Sequence, residues 1–159
     1  NRPPGSPGSI PERSEATTIP GNLHLDPAER ARREARWFHP FQTAVTSLLD
    51  GRKGQKTVVL GIHSFTPVYL GQSRPWQAGI LYRRSADFAA WLVARLGGEA
   101  AGIAHNQPYQ IEDDSDYTVP IHGEARGLDA VLIEVRQDLI GTETAAIGWG
   151  DRLATALQD

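Results

Sequence analysis

The chain has 159 residues, of which 40% are hydrophobic and 22% charged, with a formal net charge of -3 and no cysteine. That length suits one domain, since a chain of this size typically buries about 70% of its unfolded surface. The slight negative charge and scattered Lys and Arg provide no basic field for nucleic acid or anionic lipid. No apolar stretch approaches the roughly 20 residues of a membrane span, so neither nucleic acid nor a membrane is an expected partner. Without cysteine, disulfides and thiolate ligands are excluded, and any metal must be held by imidazole and carboxylate. This composition fits a cytoplasmic protein.

The opening residues 1–22 form a Pro/Gly-rich stretch, with Pro3-Pro4-Gly5-Ser6-Pro7-Gly8-Ser9 and Ile19-Pro20-Gly21-Asn22. Such a composition continues neither a helix nor a sheet ladder, so an extended surface loop or linker is expected. The chain starts at Asn1, contains no Met, and reaches its first assignable strand only at Thr57. A processed or truncated piece of one domain spanning 1–159 is the expectation.

Asp26-Pro27-Ala28-Glu29 carries the cap, the first-position proline and the early acid of a helix start. The helix runs to about Leu49, with Ala31, Ala35, Phe38, Phe41, Val45 and Leu48 as its apolar stripe. Pro40 should kink or split it near Arg36 to His39, because proline lacks an amide donor and clashes with the preceding turn. Thr57 to Ile62 then reads as a buried strand that delivers His63. Ser85 caps a second helix, with Phe88, Leu92 and Leu96 inward and Gly97-Gly98 at its end. Val131 to Ile133 is a further buried strand, delivering Glu134 and Arg136. A last helix begins at Thr142, with Trp149, Leu153 and Ala156 facing the core.

Strands alternating with helices give an α/β fold, a sheet flanked by helices. The polar, aromatic loops 64–76, 105–117 and 120–127 should gather at one sheet edge, where His63 emerges. There an imidazole and a carboxylate point toward metal-assisted hydrolysis. His63 reads either as a neutral metal ligand or as a histidine hydrogen-bonded at a strand end. Period-two alternation puts Val131, Ile133 and Val135 on one face, and Leu132, Glu134 and Arg136 on the other. A carboxylate in so apolar a strand needs compensation. It is either a general base tuned by burial or one half of a structural contact with Arg136. Of the other histidines, His24, His39 and His105 lie off the strand ends, whereas His122 precedes Gly123 on the approach to the Glu134 strand. No HxxE or HExxH pattern occurs, so the chain holds no complete zinc motif.

Several segments, in order, carry a resemblance: Asn1-Arg2-Pro3-Pro4, His63-Ser64-Phe65-Thr66-Pro67-Val68, Arg74-Pro75-Trp76 with Gly79-Ile80-Leu81-Tyr82, Asn106-Gln107-Pro108-Tyr109, Asp116-Tyr117-Thr118, His122-Gly123 with Arg126-Gly127-Leu128, and Ile133-Glu134-Val135-Arg136 through Ile140. Together they resemble the N-formylglutamate amidohydrolase family, in its branch of predicted members and over the later part of the family pattern. The resemblance implies a mixed sheet between helices of the zinc-peptidase kind (phosphorylase/hydrolase-like), incomplete at its N-terminus, with one zinc held by two histidines and an acid.

By that resemblance His63 is the last zinc ligand, and Glu134 is the base and proton shuttle. Asn1 and Arg2 fall on the pair that grips a substrate carboxylate, Arg2 being the anchor, while Arg136, Arg126 and His122 complete the substrate pocket. The substrate would be a small N-acyl amino acid, cleaved to formate and the free acidic amino acid. The two remaining zinc ligands belong to a segment upstream of Asn1. Gln42, Gln77 and Gln107 stand where the family pattern has His, His and Glu. Two alternatives remain: a carboxypeptidase-like or cell-wall-amide hydrolase, and a catalytically inactive domain serving as a binding module.

Overall fold

The structure, a computed structural model, describes residues 2–158. Its opening segment is more ordered in shape than its composition suggests. Arg13–Ser14 (β1) and Thr17–Thr18 (β2) pair antiparallel, and the Ile19 amide donates to the Glu12 carbonyl at 2.9 Å. Side chains fasten this hairpin to the helix that follows. Arg33 donates to the Asn22 side-chain oxygen and to the Gly21 carbonyl, both at 2.9 Å, which spends its fixed fork of donors on otherwise unpaired loop acceptors.

The first helix starts where its cap predicts, with the Asp26 carboxylate accepting from the Glu29 amide at 2.7 Å. Helix α1 covers Pro27–Arg33 and helix α2 covers His39–Asp50. Between them Glu34–Phe38 widens into a π turn, in which the His39 amide donates to Glu34 O five residues back. Pro40 therefore leads to one wide turn just before it, overlapping the expected interval and starting two residues earlier, rather than to a full break. The expected apolar stripe is displaced. Gln42, Val45, Thr46 and Leu49 form the less exposed face, while Phe41 and Leu48 are 61% and 66% exposed. The reason is the buried pairing of Gln42 with His122, which sets the rotation of α2.

Strand β3 (Val58–Phe65) is followed by a small hairpin of β4 (Val68–Tyr69) and β5 (Gln72–Ser73), then by β6 (Ala78–Leu81). Helix α3 (Ala86–Arg95), β7 (Ile103–His105), β8 (Asp129–Arg136) and helix α4 (Glu143–Ala156) complete the chain. Four strands form one mixed sheet in the order β3-β8-β6-β7. β3 and β8 are parallel, as are β6 and β7, whereas β6 and β8 are antiparallel. The α/β class with helices on a mixed sheet is thus as expected. β6 and β7 are strands too short for periodicity to single out.

The alternation along β8 divides two cores. Val131, Ile133 and Val135 pack with Leu92 and Val93 of α3 and Trp149 of α4. Ala130 and Leu132, on the opposite face, pack with Val59, Ile111 and Val119. Full burial of each such aliphatic side chain contributes about 1.5–3 kcal/mol, so a slip of one residue would exchange the two faces and forfeit both cores. Among the described residues no helix is long and apolar enough to cross a membrane.

Candidate active site

His63 and Glu134 are register partners on the adjacent parallel strands β3 and β8. Period-two alternation carries both to the face that holds Val59 and Leu132. The His63 Nδ1 lies 3.6 Å from the Glu134 Oε1. The two functional groups expected at the sheet rim therefore meet in space. On its other side Glu134 is paired with Gly79 of β6, which places no side chain beside the carboxylate.

Glu134 is 5% exposed, and its Oε2 is buried without a hydrogen-bond partner. Burial of a charge without full compensation favours the protonated acid. Burial first and the Asp116 charge second raise the Glu134 carboxyl to about 7, and the Arg2 and Arg74 charges oppose that rise. Burial also pushes the His63 imidazolium down, against the pull of Asp116, so His63 is neutral at neutral pH. The pair thus offers a neutral imidazole beside a carboxyl poised between its two protonation states, the condition a proton carrier needs.

Arg2 and Asp116 reach this site from segments far apart in the chain. The Arg2 Nη1 donates to the Ser115 carbonyl at 3.2 Å, next to Asp116, and its charge acts on both His63 and Glu134. Sequence reading gave Asp116 no role, although Asp116-Tyr117-Thr118 is one of the segments that carry the resemblance. Asn1 lies outside the described residues.

Three expected substrate-binding residues are placed elsewhere. Arg136 spends its fork on Asp138, at 2.8 Å and 3.2 Å, and donates from Nη1 to the carbonyls of Arg74, Pro75 and Trp76 at 3.2–3.3 Å. It anchors the 74–76 loop, and its ion pair is with Asp138, not Glu134. Arg126 pairs with Asp50 at 2.7 Å and precedes the first residue of β8, whereas Glu134 is near its last; that span exceeds the reach of the side chain. His122 is 1% exposed. Its Nε2 sits 2.5 Å from the Gln42 Oε1, its Nδ1 has no partner, and its ring meets Tyr117 edge-on at 5.7 Å, so it is an internal strut.

The resemblance implies a zinc ion on two histidines and an acid. The described residues do not by themselves fit that ion, because no three of their His, Asp or Glu side chains form a group able to hold a metal. A cavity of about 620 Å³ is lined by Ile10, Asn22, Arg33, Trp37 and Phe38 together with Arg2. It therefore abuts the site through Arg2 and does not enclose the His63 and Glu134 pair.

Comparison with known proteins adds to this geometry. Residues 1–141 match the family described as N-formylglutamate amidohydrolase, and no curated protein matches the chain. A crystal structure of a gene product from Agrobacterium tumefaciens is 40% identical with a TM-score of 0.86, over 98% of this chain and 64% of that one. The crystal structure of N-formylglutamate amidohydrolase from Ralstonia eutropha is 20% identical with a TM-score of 0.60, over 82% of this chain and 52% of that one. The chain thus spans under two thirds of the length of either, and the second likeness speaks for the fold alone.

Proposed function

The chain belongs to the N-formylglutamate amidohydrolase family, and from that membership we propose that in the whole protein this site hydrolyses the N-formyl amide of an acidic amino acid. The carrying observation is Glu134: buried, with one unpartnered oxygen, raised to about 7, and 3.6 Å from a neutral imidazole.

The reaction adds water to the formyl carbon and breaks the carbon–nitrogen bond, giving formate and the free amino acid. As a carboxylate, Glu134 accepts a proton from the attacking water; as the acid it then formed, it returns that proton to the departing nitrogen. A group titrating near neutrality serves both half-steps, since neither proton position is strongly preferred. Arg2 grips a substrate carboxylate with its planar fork, which orients the scissile group toward Glu134. His63 is the side chain that we assign toward a zinc ion in the whole protein, with the remaining ligands outside the described residues. Support for pairing His63 with Glu134 comes from the register of β3 and β8, in which the two are partners.

Formate release by the whole protein tests the reading. Glu134→Gln should lower turnover by several orders of magnitude, because the amide cannot accept the proton, while zinc content stays as in the wild type. An unchanged turnover overturns the assignment, and loss of zinc together with activity would make Glu134 a ligand or a structural residue.

A further inference from the structure

Arg74 lies just beyond the His63 and Glu134 pair along the sheet. Phe65 follows His63 on the same face of β3 and is paired with Arg136; the Arg74 guanidinium carbon stands 5.9 Å from the Phe65 ring centre. It also stands 4.5 Å from the Tyr69 ring, on the hairpin after β3, and 4.8 Å from the Tyr109 ring, on the loop after β7. Its Nη1 donates to the Tyr109 hydroxyl at 2.9 Å and to the Thr66 hydroxyl at 3.4 Å. The backbone is held as well: the Arg74 amide donates to the Pro67 carbonyl at 2.8 Å, and its carbonyl accepts from Arg136.

What this cation does not have is an acid. Arg83, Arg126 and Arg136 each pair with a carboxylate, whereas among the described residues no carboxylate lies within the 4.0 Å ion-pair distance of Arg74. Three rings and two hydroxyls hold it with Nε and Nη2 unused by the described residues, and its charge reaches Glu134. A guanidinium fixed in this way loses little side-chain freedom on gaining an anion, and the rings keep it partly out of water, where a charge-assisted fork is strongest. A structural cation resting on aromatic rings needs no such placement at the rim of a catalytic carboxylate.

We propose that Arg74 is a specificity-determining residue, the seat for the second carboxylate of an N-acyl acidic amino acid, with Arg2 taking the first. The two arginines arrive at Glu134 from separate segments, so a dicarboxylate spans them while a monocarboxylate engages only one. This inference rests on the hydrolase reading for the reaction, but the preference for two carboxylates is a property of binding alone.

The test has a kinetic arm and a binding arm. For the whole protein, kcat/KM is compared between the dicarboxylate N-formylglutamate and its monocarboxylate isostere N-formylglutamine, in the wild type, Arg74→Met and Arg74→Lys. Arg74→Met should lower kcat/KM for the dicarboxylate roughly 10- to 100-fold, mainly through KM, and leave the monocarboxylate within about threefold. Lysine should restore part of the loss, as a cation without the fork. An unchanged ratio between the two substrates overturns the inference and leaves the hydrolase reading standing.

Should formate be released from neither compound, the hydrolase reading fails and titration of the 159-residue chain with glutarate and butyrate decides the inference. Glutarate binding at least about tenfold tighter than butyrate, lost in Arg74→Met, supports it; equal binding of the two overturns it. Thermal melts accompany each variant. If Arg74→Met does not fold, Tyr109→Phe, which removes one hydroxyl acceptor, should weaken the dicarboxylate preference, and a preference unmoved by it counts against the proposal.

Discussion

Gly79 lies beneath the Gln107 carbonyl so closely that a Cβ on Gly79 would stand 1.5 Å from that oxygen and 2.8 Å from its carbon. Since Gly79 is also the register partner of Glu134, the missing side chain lets the 107–117 loop close over the carboxylate. Gly79→Ala would have to push backbone aside, so a cost at or above the typical range of about 1–3 kcal/mol for overpacking is expected. Gly61→Ala is the control, because its Cβ would meet the tip of Leu132 at 2.2 Å, and a side-chain tip can rotate away. Urea midpoints of the two variants check this, and a Gly61 cost equal to that of Gly79 would refute the difference.

Glu134 makes stability depend on pH with a definite sign. Its folded carboxyl titrates at about 7 against an ordinary 4.5, so the folded protein keeps a proton that the unfolded chain releases. The resulting stability is full below about 4.5 and is lost as pH rises through 7, by roughly 3 kcal/mol at most. Glu134→Gln carries no such charge. Its melting temperature should exceed that of the wild type at pH 8 by more than at pH 4.5, and parallel curves across that window would contradict the shift.

The buried bond between Gln42 and His122 can be weighed by a double-mutant cycle. Gln42→Leu leaves the His122 Nε2 facing apolar packing in addition to the already unpartnered Nδ1, which should cost about 1–3 kcal/mol. Replacing both, as Gln42→Leu with His122→Phe, should cost less than the sum of the single changes. Chemical denaturation measures the coupling, and strict additivity would show that the contact contributes nothing.

Arg136 should act on the site only through the 74–76 loop. Arg136→Gln frees the three carbonyls it holds, so faster amide exchange at the neighbouring loop amides and a raised KM with little change in kcat are expected. The hydrogen bond from Arg136 also keeps the Asp138 carboxyl below its usual range. An NMR titration should find Asp138 back near its ordinary value in the variant, and an unmoved titration would remove the pair from the account.

Much of the architecture was legible because its determinants are local. The cap at Asp26, the π turn before Pro40 and the Thr142 cap, whose hydroxyl accepts from the Ala145 amide, each follow from residues within one turn of helix. The two faces of β8 follow from a period of two. The rotation of α2 was not legible in this way: its inward face is set by one polar contact with a residue far along the chain, and Phe41 and Leu48 stay outside although their spacing suits a buried stripe.

The same division holds for the chemistry. Residue type and strand alternation by themselves put Glu134 on the Leu132 face of an apolar strand and His63 at the end of another, since both depend only on neighbours along the chain. That these groups stand 3.6 Å apart, that Arg136 is committed to Asp138 and a loop, and that Arg74 has no acid partner among the described residues were decided by the register of β3 on β8 and by loop closure. Those contacts join segments distant in sequence, and pairing between such segments is chosen by the fit of two complete faces, information that no short window of residues contains.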